Sequence, residues 1–517
     1  MYLRLRCNAI HCIVITDKLL ETSPLEHKKA TNHWLILVLL ALAQFMAVLD
    51  SSIVNVALPA IQHAFGMTQT SLQWIVTAYT LTFGGFLLLG GRAADLFGRR
   101  RVFLTGVALF ALASLADGLA TSGTMLTVFR GLQGLAAAFM SPAALSIVLV
   151  TYREGHERNI ALSVWGAVAA GGAAVGVLLG GILTEYAGWR WNFFVNVPVA
   201  IGIMIAAWRI LPVHESEADH RTLDLPGAVL VTGGLMTLVY ALVRATETGW
   251  FQAPKLSSSV AALFVVAGVS LVAFVINEAK VKRPLMPLSI FKIRNVSGAN
   301  GLQLLLASSL FSVFFFASLY FQQVLHYSPV RTGLSFLIVP VTIALAATNV
   351  PRVIKRVGFR PILMIAPLFV GAGLLVLSRL PVDGNYWTQV FPGLFLLALG
   401  AGATFVSVSI AATSGVAPQL SGLASGLVNT AQQLGGSIGL AVLSAVAASG
   451  ATGYVANLHA QPTAHQLLAA RVHGFHNGYL AASSFTLAAS LLALLVIRNQ
   501  PKSNPLDGNE PVVVHAA

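Results

Sequence analysis

Long apolar runs separated by short polar interruptions make up nearly the whole chain, and the length of those runs decides what they are. Candidate segments are 34–58, 72–91, 102–121, 125–150, 160–184 and 192–212, then 226–246 and 257–277, then 297–322, 333–351, 361–380, 387–415, 422–447 and 478–497. A buried β-strand ends after about 4 to 8 residues. A helix of about 20 residues, rising 1.5 Å per residue, crosses a hydrocarbon core roughly 30 Å thick. The pattern therefore predicts an all-α polytopic membrane protein with fourteen transmembrane helices, grouped six, two and six. It divides the chain into a cytoplasmic tail (1–33), an N-terminal six-helix bundle (34–212), a two-helix insert with its flanking loops (213–296), a C-terminal six-helix bundle (297–497) and a disordered tail (498–517).

Composition agrees. Hydrophobic residues make up 56% of the 517 and charged residues only 9%, against about 25% charged in soluble domains; mean hydropathy is +0.79. The net charge of +13 would point to nucleic acid in a soluble protein, but its placement points elsewhere. With both termini in the cytoplasm, 24 of the 31 Lys and Arg fall in the tails and even-numbered connections, six fall on the outer side, and Arg130 lies inside a helix. This is the positive-inside bias, and a miscounted span would invert it downstream. It favours a multi-pass protein of the cell inner (plasma) membrane whose basic loops face lipid headgroups, with no nucleic-acid partner.

Cys7 and Cys12 are the only cysteines, so neither a disulfide framework nor a thiolate metal site is expected, and the thirteen histidines have no metal-ligand spacing. Met1–Ile15 is basic and mildly apolar but lacks a small-residue cleavage site. It reads as a tail in contact with the membrane surface and not as a signal peptide; a misassigned start codon is the alternative.

Two charges fall deep within spans, Asp50 in the first and Arg130 in the fourth. Each is costly in lipid and must face protein or water, either as working groups or as a structural ion pair. Arg130, Gln133 and Gly134 recur at i, i+3 and i+4 and share a helix face; Asn55 adds a polar group to the first span. Asn429, Gln432 and Gln433 give the thirteenth span an amide face, for a ligand or for hydrogen bonds between helices. Gly172, Gly176 and Gly180, with Gly181 beside them, form a stripe that admits a neighbouring backbone. Gly91-Arg92-Ala93-Ala94-Asp95-Leu96-Phe97-Gly98-Arg99-Arg100 is a tight basic connection with an acid inside it. It is suited to a clasp that forms and breaks between two conformations, or to a plain membrane anchor. A fainter echo follows, with Arg352, Gly358 and Arg360 spaced as Arg92, Gly98 and Arg100 are.

These motifs resemble those of the major facilitator superfamily, and among its branches the fourteen-helix drug:proton antiporters, over about residues 34–500. The 91–100 stretch resembles the superfamily's signature loop, whose aspartate and arginines help control switching between inward- and outward-open forms. Leu49-Asp50-Ser51-Ser52-Ile53-Val54-Asn55-Val56-Ala57-Leu58-Pro59 resembles the first-helix motif whose acid is assigned to proton coupling. Arg130-Gly131-Leu132-Gln133-Gly134 resembles the fourth-helix motif whose arginine is implicated in proton transfer. Gly172–Gly181 resembles the fifth-helix antiporter motif, except that Val177 stands where that motif has proline. Val177 retains its N–H, so a weaker bend is expected. Trp189-Arg190-Trp191-Asn192-Phe193-Phe194-Val195-Asn196-Val197-Pro198 is similar to the segment leading into the sixth helix of this branch.

The resemblance implies two six-helix bundles alternating about a midplane cavity, with proton-coupled efflux of amphipathic or hydrophobic small molecules. It implies no catalytic activity, no metal and no cofactor, only the proton gradient as driving force, and a monomer working with substrate, protons and lipid. A proton symporter or uniporter of a metabolite is the alternative. A non-transporting receptor or scaffold is another, but it would have no use for charge inside the membrane.

Overall fold

The computed structural model describes residues 33–152, 156–211, 224–247, 258–281, 284–417, 420–458 and 462–499. The expected tails lie outside the described residues, apart from His33 at one end and Arg498 and Asn499 at the other; so do the cysteines and much of the loops flanking the insert. Fourteen helices are long and apolar enough to cross a membrane. They are α1 (His33–Phe65), α2 (Gln69–Phe97), α3 (Arg99–Gly118), α4 (Gly123–Thr151), α5 (Ile160–Tyr186), α6 (Trp191–Ile210), α7 (Leu225–Ala245), α8 (Ser258–Lys280), α9 (Arg294–Val324), α10 (Pro329–Val357), α11 (Phe359–Leu377), α12 (Tyr386–Thr413), α13 (Ser421–Ala456) and α14 (Ala464–Val496).

Side-chain caps start several of them. Ser122 accepts the N–H of Met125 at α4, Ser328 accepts that of Arg331 at α10, and Thr463 and Gln466 form a reciprocal capping box at α14. Helices α2 and α3 are joined through Gly98 alone, at φ +93°, and α10 and α11 through Gly358, at φ +81°. A side chain at either φ would be strained.

Two expectations need correction. Residues 91–97 are not loop but the last turns of α2. The stretch 448–477, which the apolar segments leave as the connection between the last two spans, is mostly helix, because α13 continues to Ala456 and α14 already begins at Ala464. Hydropathy locates the part of a helix that lies in lipid. Helix propensity and caps decide where it ends, and an alanine-rich stretch behind a capping box carries it well beyond that limit.

Helix packing repeats. In the first half α1 packs on α4, α5 and α6, α2 on α4, and α3 on α4 and α6. In the second half α9 packs on α12, α13 and α14, α10 on α12, and α11 on α12 and α14. The pattern is the same with every helix number raised by eight. Helices α7 and α8 pack on each other, and α7 also touches both α2 and α13, so the insert covers a seam between the two bundles.

At the end of the bundles away from the termini the halves are closed on each other. Ser318 Oγ donates to the Asn55 carbonyl at 2.6 Å, Gln322 to the Val56 carbonyl at 2.8 Å, and Gln323 to Gln62 at 2.7 Å. Helix α5 joins the closure, with Glu185 accepting the Val330 N–H at 2.9 Å.

Candidate functional site

The two intramembrane charges meet. Asp50 Oδ2 and Arg130 Nη1 are 2.6 Å apart, with side chains 0% and 1% exposed. Desolvating such a pair is compensated only where further hydrogen bonds satisfy the remaining atoms. Here Gln133 Nε2 donates to Asp50 Oδ1 at 2.9 Å and Asn196 Nδ2 donates to the same oxygen at 2.7 Å. Arg130 donates through Nε to the Ile75 carbonyl at 3.1 Å and through Nη1 to Gln133 Oε1. The Tyr79 ring lies 4.3 Å from Arg130 Cζ, a cation–π contact. Ser114 Oγ accepts from both Gln133 and Asn196. Five helices (α1, α2, α3, α4 and α6) converge on one carboxylate and one guanidinium.

Glycines make this convergence possible. A Cβ on Gly134 would lie 2.2 Å from the Tyr79 carbonyl oxygen, and one on Gly176 would lie 2.7 Å from Ser52 Cβ and 2.9 Å from the Leu49 carbonyl. Gly172 faces the Phe45 carbonyl and Gly180 the Ile53 carbonyl. The fifth-helix stripe thus runs along α1 on both sides of Asp50. Gly181 instead approaches the Pro329 carbonyl of α10, and the Val177 carbonyl lies against Gly333, where a Cβ would come within 2.4 Å. At the position of the missing proline, α5 passes without a break and its backbone contacts the opposite half.

One helical turn from Asp50 a cavity of about 200 Å³ lies between the bundles, lined by Ser52, Asn55, Val177, Phe311, Phe314 and Gln432 among others. Asn55 donates to the Ser51 carbonyl of its own helix at 3.0 Å. Of the polar residues expected in a cavity, Asn55 and Gln432 line this one. Gln133 belongs to the buried cluster. Gln433 is buried where α13 crosses α2 at Gly84, an interhelical role. Asn429 is half-buried on α13 and is not part of this lining. The switch-loop residues lie apart, at the terminal face of the bundle: Asp95 pairs with Arg99 at 3.5 Å on a half-exposed surface, Arg100 donates to the Trp208 carbonyl, and Gly91 and Arg92 lie in the last turns of α2.

Asn196, Ser114 and Tyr79 were not anticipated. Asn196 was visible only as part of the 189–198 motif, and a serine or tyrosine in an apolar helix carries no periodic signal. Among the described residues no cluster of histidine, cysteine and acidic side chains could hold a metal ion.

Residues 40–440 match the Major Facilitator Superfamily model. The chain is 41% identical over 468 residues to the puromycin resistance protein of Streptomyces alboniger, covering 90% of each chain. It is 40% identical over 428 residues to the cephamycin export protein of Amycolatopsis lactamdurans, covering 82% of this chain and 86% of that one. Among solved structures, a bacterial homologue of the human lysosomal transporter Spinster superposes with a TM-score of 0.62 at 15% identity, over 90% of this chain and 96% of that one. The xylose transporter XylE of E. coli superposes with a TM-score of 0.60 at 12% identity, over 91% and 98%. The chain belongs to the Major Facilitator Superfamily, and it transports small molecules across a membrane.

Proposed function

We propose that this chain exports amphipathic or hydrophobic small molecules in exchange for protons, by alternating access, with Asp50 as the proton-carrying group and Arg130 as its fixed partner. The observation that carries the reading is the sealed Asp50–Arg130–Gln133–Asn196 cluster one turn from a largely apolar cavity at the seam of the two bundles. A carboxylate held by one cation and two amides can trade that set of donors for a proton. Because Ser51 and Ser52 follow Asp50 directly and Ser52 lines the cavity, a bound compound and a protonated Asp50 act on the same turn of α1. Phenylalanine and aliphatic walls accept apolar bodies with little positional demand. The likeness to proteins named for puromycin resistance and cephamycin export supports antibiotic-type molecules as the substrate class.

With both termini cytoplasmic, as the basic loops favour, the closed end of the bundles faces outward and the cavity belongs to an inward-facing state. Residues 34–212 and 297–497 then act as two rocking bodies in a monomer. The insert (213–296) rides on their seam, and the Asp95–Arg99 connection breaks and re-forms as they rock.

The deciding experiment is uptake into energised inside-out vesicles with and without an uncoupler. Uptake collapsed by the uncoupler supports antiport. Uptake indifferent to it, flowing down the compound's own gradient, makes the chain a uniporter.

A further inference from the structure

Asp117 is the one acid of α3, three residues beyond Ser114 and therefore one turn nearer the closed end of the bundle. By sequence it sits at a helix end, where water would reach it. In the structure it is 0% exposed, and neither carboxyl oxygen has a hydrogen-bond partner. The charged side chains that face it are Arg130 of α4 and Asp50 of α1, and the Tyr79 ring of α2 packs on the same guanidinium. Below it, Ser114 accepts from Gln133 and Asn196, the two amides that hold Asp50. Above it, the first turn of α6 forms a roof. The Phe194 ring is so close to Gly118 that a Cβ there would come within 2.2 Å of it. The Phe193 ring lies 5.8 Å from Arg130 Cζ, and Arg190 ties the roof to the turn after α3 by donating to the Ala120 carbonyl at 2.9 Å.

A buried carboxyl group with no donor on either oxygen contributes nothing to packing that a leucine would not, and as an anion it is expensive. Held as the neutral acid it would carry no such cost. Its position between the Asp50 cluster and the roof gives that proton a use.

We propose that Asp117 is the outer proton relay of this transporter, loading Asp50 from the closed side. In the step, a water molecule entering between the two groups takes the proton of the Asp117 carboxyl and passes one to the Asp50 carboxylate. Asp50 becomes the neutral acid and releases Arg130, and the new Asp117 carboxylate balances the guanidinium in its place. The three groups carry a net charge of zero before and after, so no charge is created in the membrane interior. Asp117 is recharged from water when the Phe193–Phe194 turn lifts. This rests on the antiport reading above, which assigns the transported proton to Asp50.

Two measurements test it separately. The first needs no transport: infrared difference spectra of the purified protein across a pH titration, reading the carbonyl stretch of a protonated carboxylic acid. A carboxylic-acid band that Asp117→Asn removes is expected in the wild type, and Asp50→Asn, which leaves Arg130 without its partner, is expected to weaken that band as Asp117 ionises to balance the guanidinium; a spectrum unchanged by Asp117→Asn overturns the relay. The second uses ethidium as the probe in inside-out vesicles. Asp117→Asn is expected to slow uptake driven by a pH gradient about a hundredfold while leaving ethidium exchange at equal pH within about twofold, and Asp117→Glu to restore most of the driven rate. Loss of both rates together makes Asp117 a packing residue and overturns the relay, as does retention of both. If the wild type moves ethidium without any response to an uncoupler, the antiport reading fails, and the infrared result still decides whether Asp117 holds a proton.

Discussion

Arg100 and Arg360 make the same contact in the two halves of the molecule. Arg100, second residue of α3, donates through Nη2 to the Trp208 carbonyl near the end of α6. Arg360, second residue of α11, donates through Nη2 to the Leu494 carbonyl near the end of α14, at 2.9 Å. Each follows a glycine of positive φ, Gly98 or Gly358. A guanidinium at the C-terminal end of a helix meets both free carbonyls and the negative end of the helix dipole. The repeated packing of the two bundles is therefore reinforced by a repeated arginine clamp.

The two clamps are expected to be equivalent. Arg100→Ala and Arg360→Ala should each lower stability by about 1 to 2 kcal/mol, and the double variant by about the sum, since distant sites add. Thermal unfolding of the purified protein in detergent reads this. A loss confined to one half would mean that the clamp matters in one bundle only.

The clamp shows what the sequence made legible. Spacing alone related Arg92, Gly98 and Arg100 to Arg352, Gly358 and Arg360, and the packing of α9–α14 bears the repeat out. The fourteen spans were legible because a bilayer imposes one length on every helix that crosses it. The helix ends were not, because hydropathy falls silent where α13 and α14 run past the apolar core. Asp50 and Arg130 stood out as expensive charges, yet their contact depends on a fold that brings numbers 50 and 130 together. Asn196, Ser114 and the burial of Asp117 depend on five helices at once, which no one-dimensional pattern records.

Topology is the next expectation. Reporter fusions after residues 65 and 460 should fall outside and those after 215 and 505 inside, following the basic loops. A cytoplasmic signal at 460 would remove the fourteen-span arrangement with cytoplasmic termini.

The glycine stripe should resist enlargement beside the site. Gly176→Ala places a methyl group 2.7 Å from Ser52 Cβ and 2.9 Å from the Leu49 carbonyl; spreading α1 from α5 is expected to cost about 1 to 3 kcal/mol. Gly171→Ala, whose Cβ meets nothing within 4 Å, serves as the control. Equal unfolding temperatures for the two variants would show that α1 and α5 do not depend on this contact.

The switch connection should separate stability from rate. Asp95 and Arg99 form a partly exposed pair, worth less than about 1 kcal/mol, so Asp95→Asn and Arg99→Ala should unfold near the wild-type temperature. Transport at matched expression should nevertheless slow in both. Wild-type rates would leave the connection only an anchoring role.

Neutralising Asp50 is the prediction the structure changes most. As a lone buried carboxylate, it would be replaced at little cost in folding. The structure shows a pair, and Asp50→Asn leaves Arg130 charged and buried, since arginine keeps its proton. Removing one partner of a buried pair costs up to about 3 to 5 kcal/mol. Here the Ile75 carbonyl, Gln133 and the Tyr79 face remain around the guanidinium, and the new amide oxygen can still accept, so a loss of about 1 to 3 kcal/mol is expected. Adding Arg130→Gln removes the stranded charge and should recover much of that loss. Coupling should not recover, because no titratable group stands at position 50 in either variant. The readout is unfolding temperature beside proton release on adding a transported compound to purified protein in weakly buffered detergent. Release from Asp50→Asn equal to wild type would sink the assignment and leave Asp117, already buried one turn beyond Ser114, as the carrier to test next, ahead of Glu247, whose side chain lies outside the described residues. Recovered stability with absent release would separate the two roles: Arg130 and Asp50 hold five helices together as a pair, and the coupled proton has to pass through Asp50.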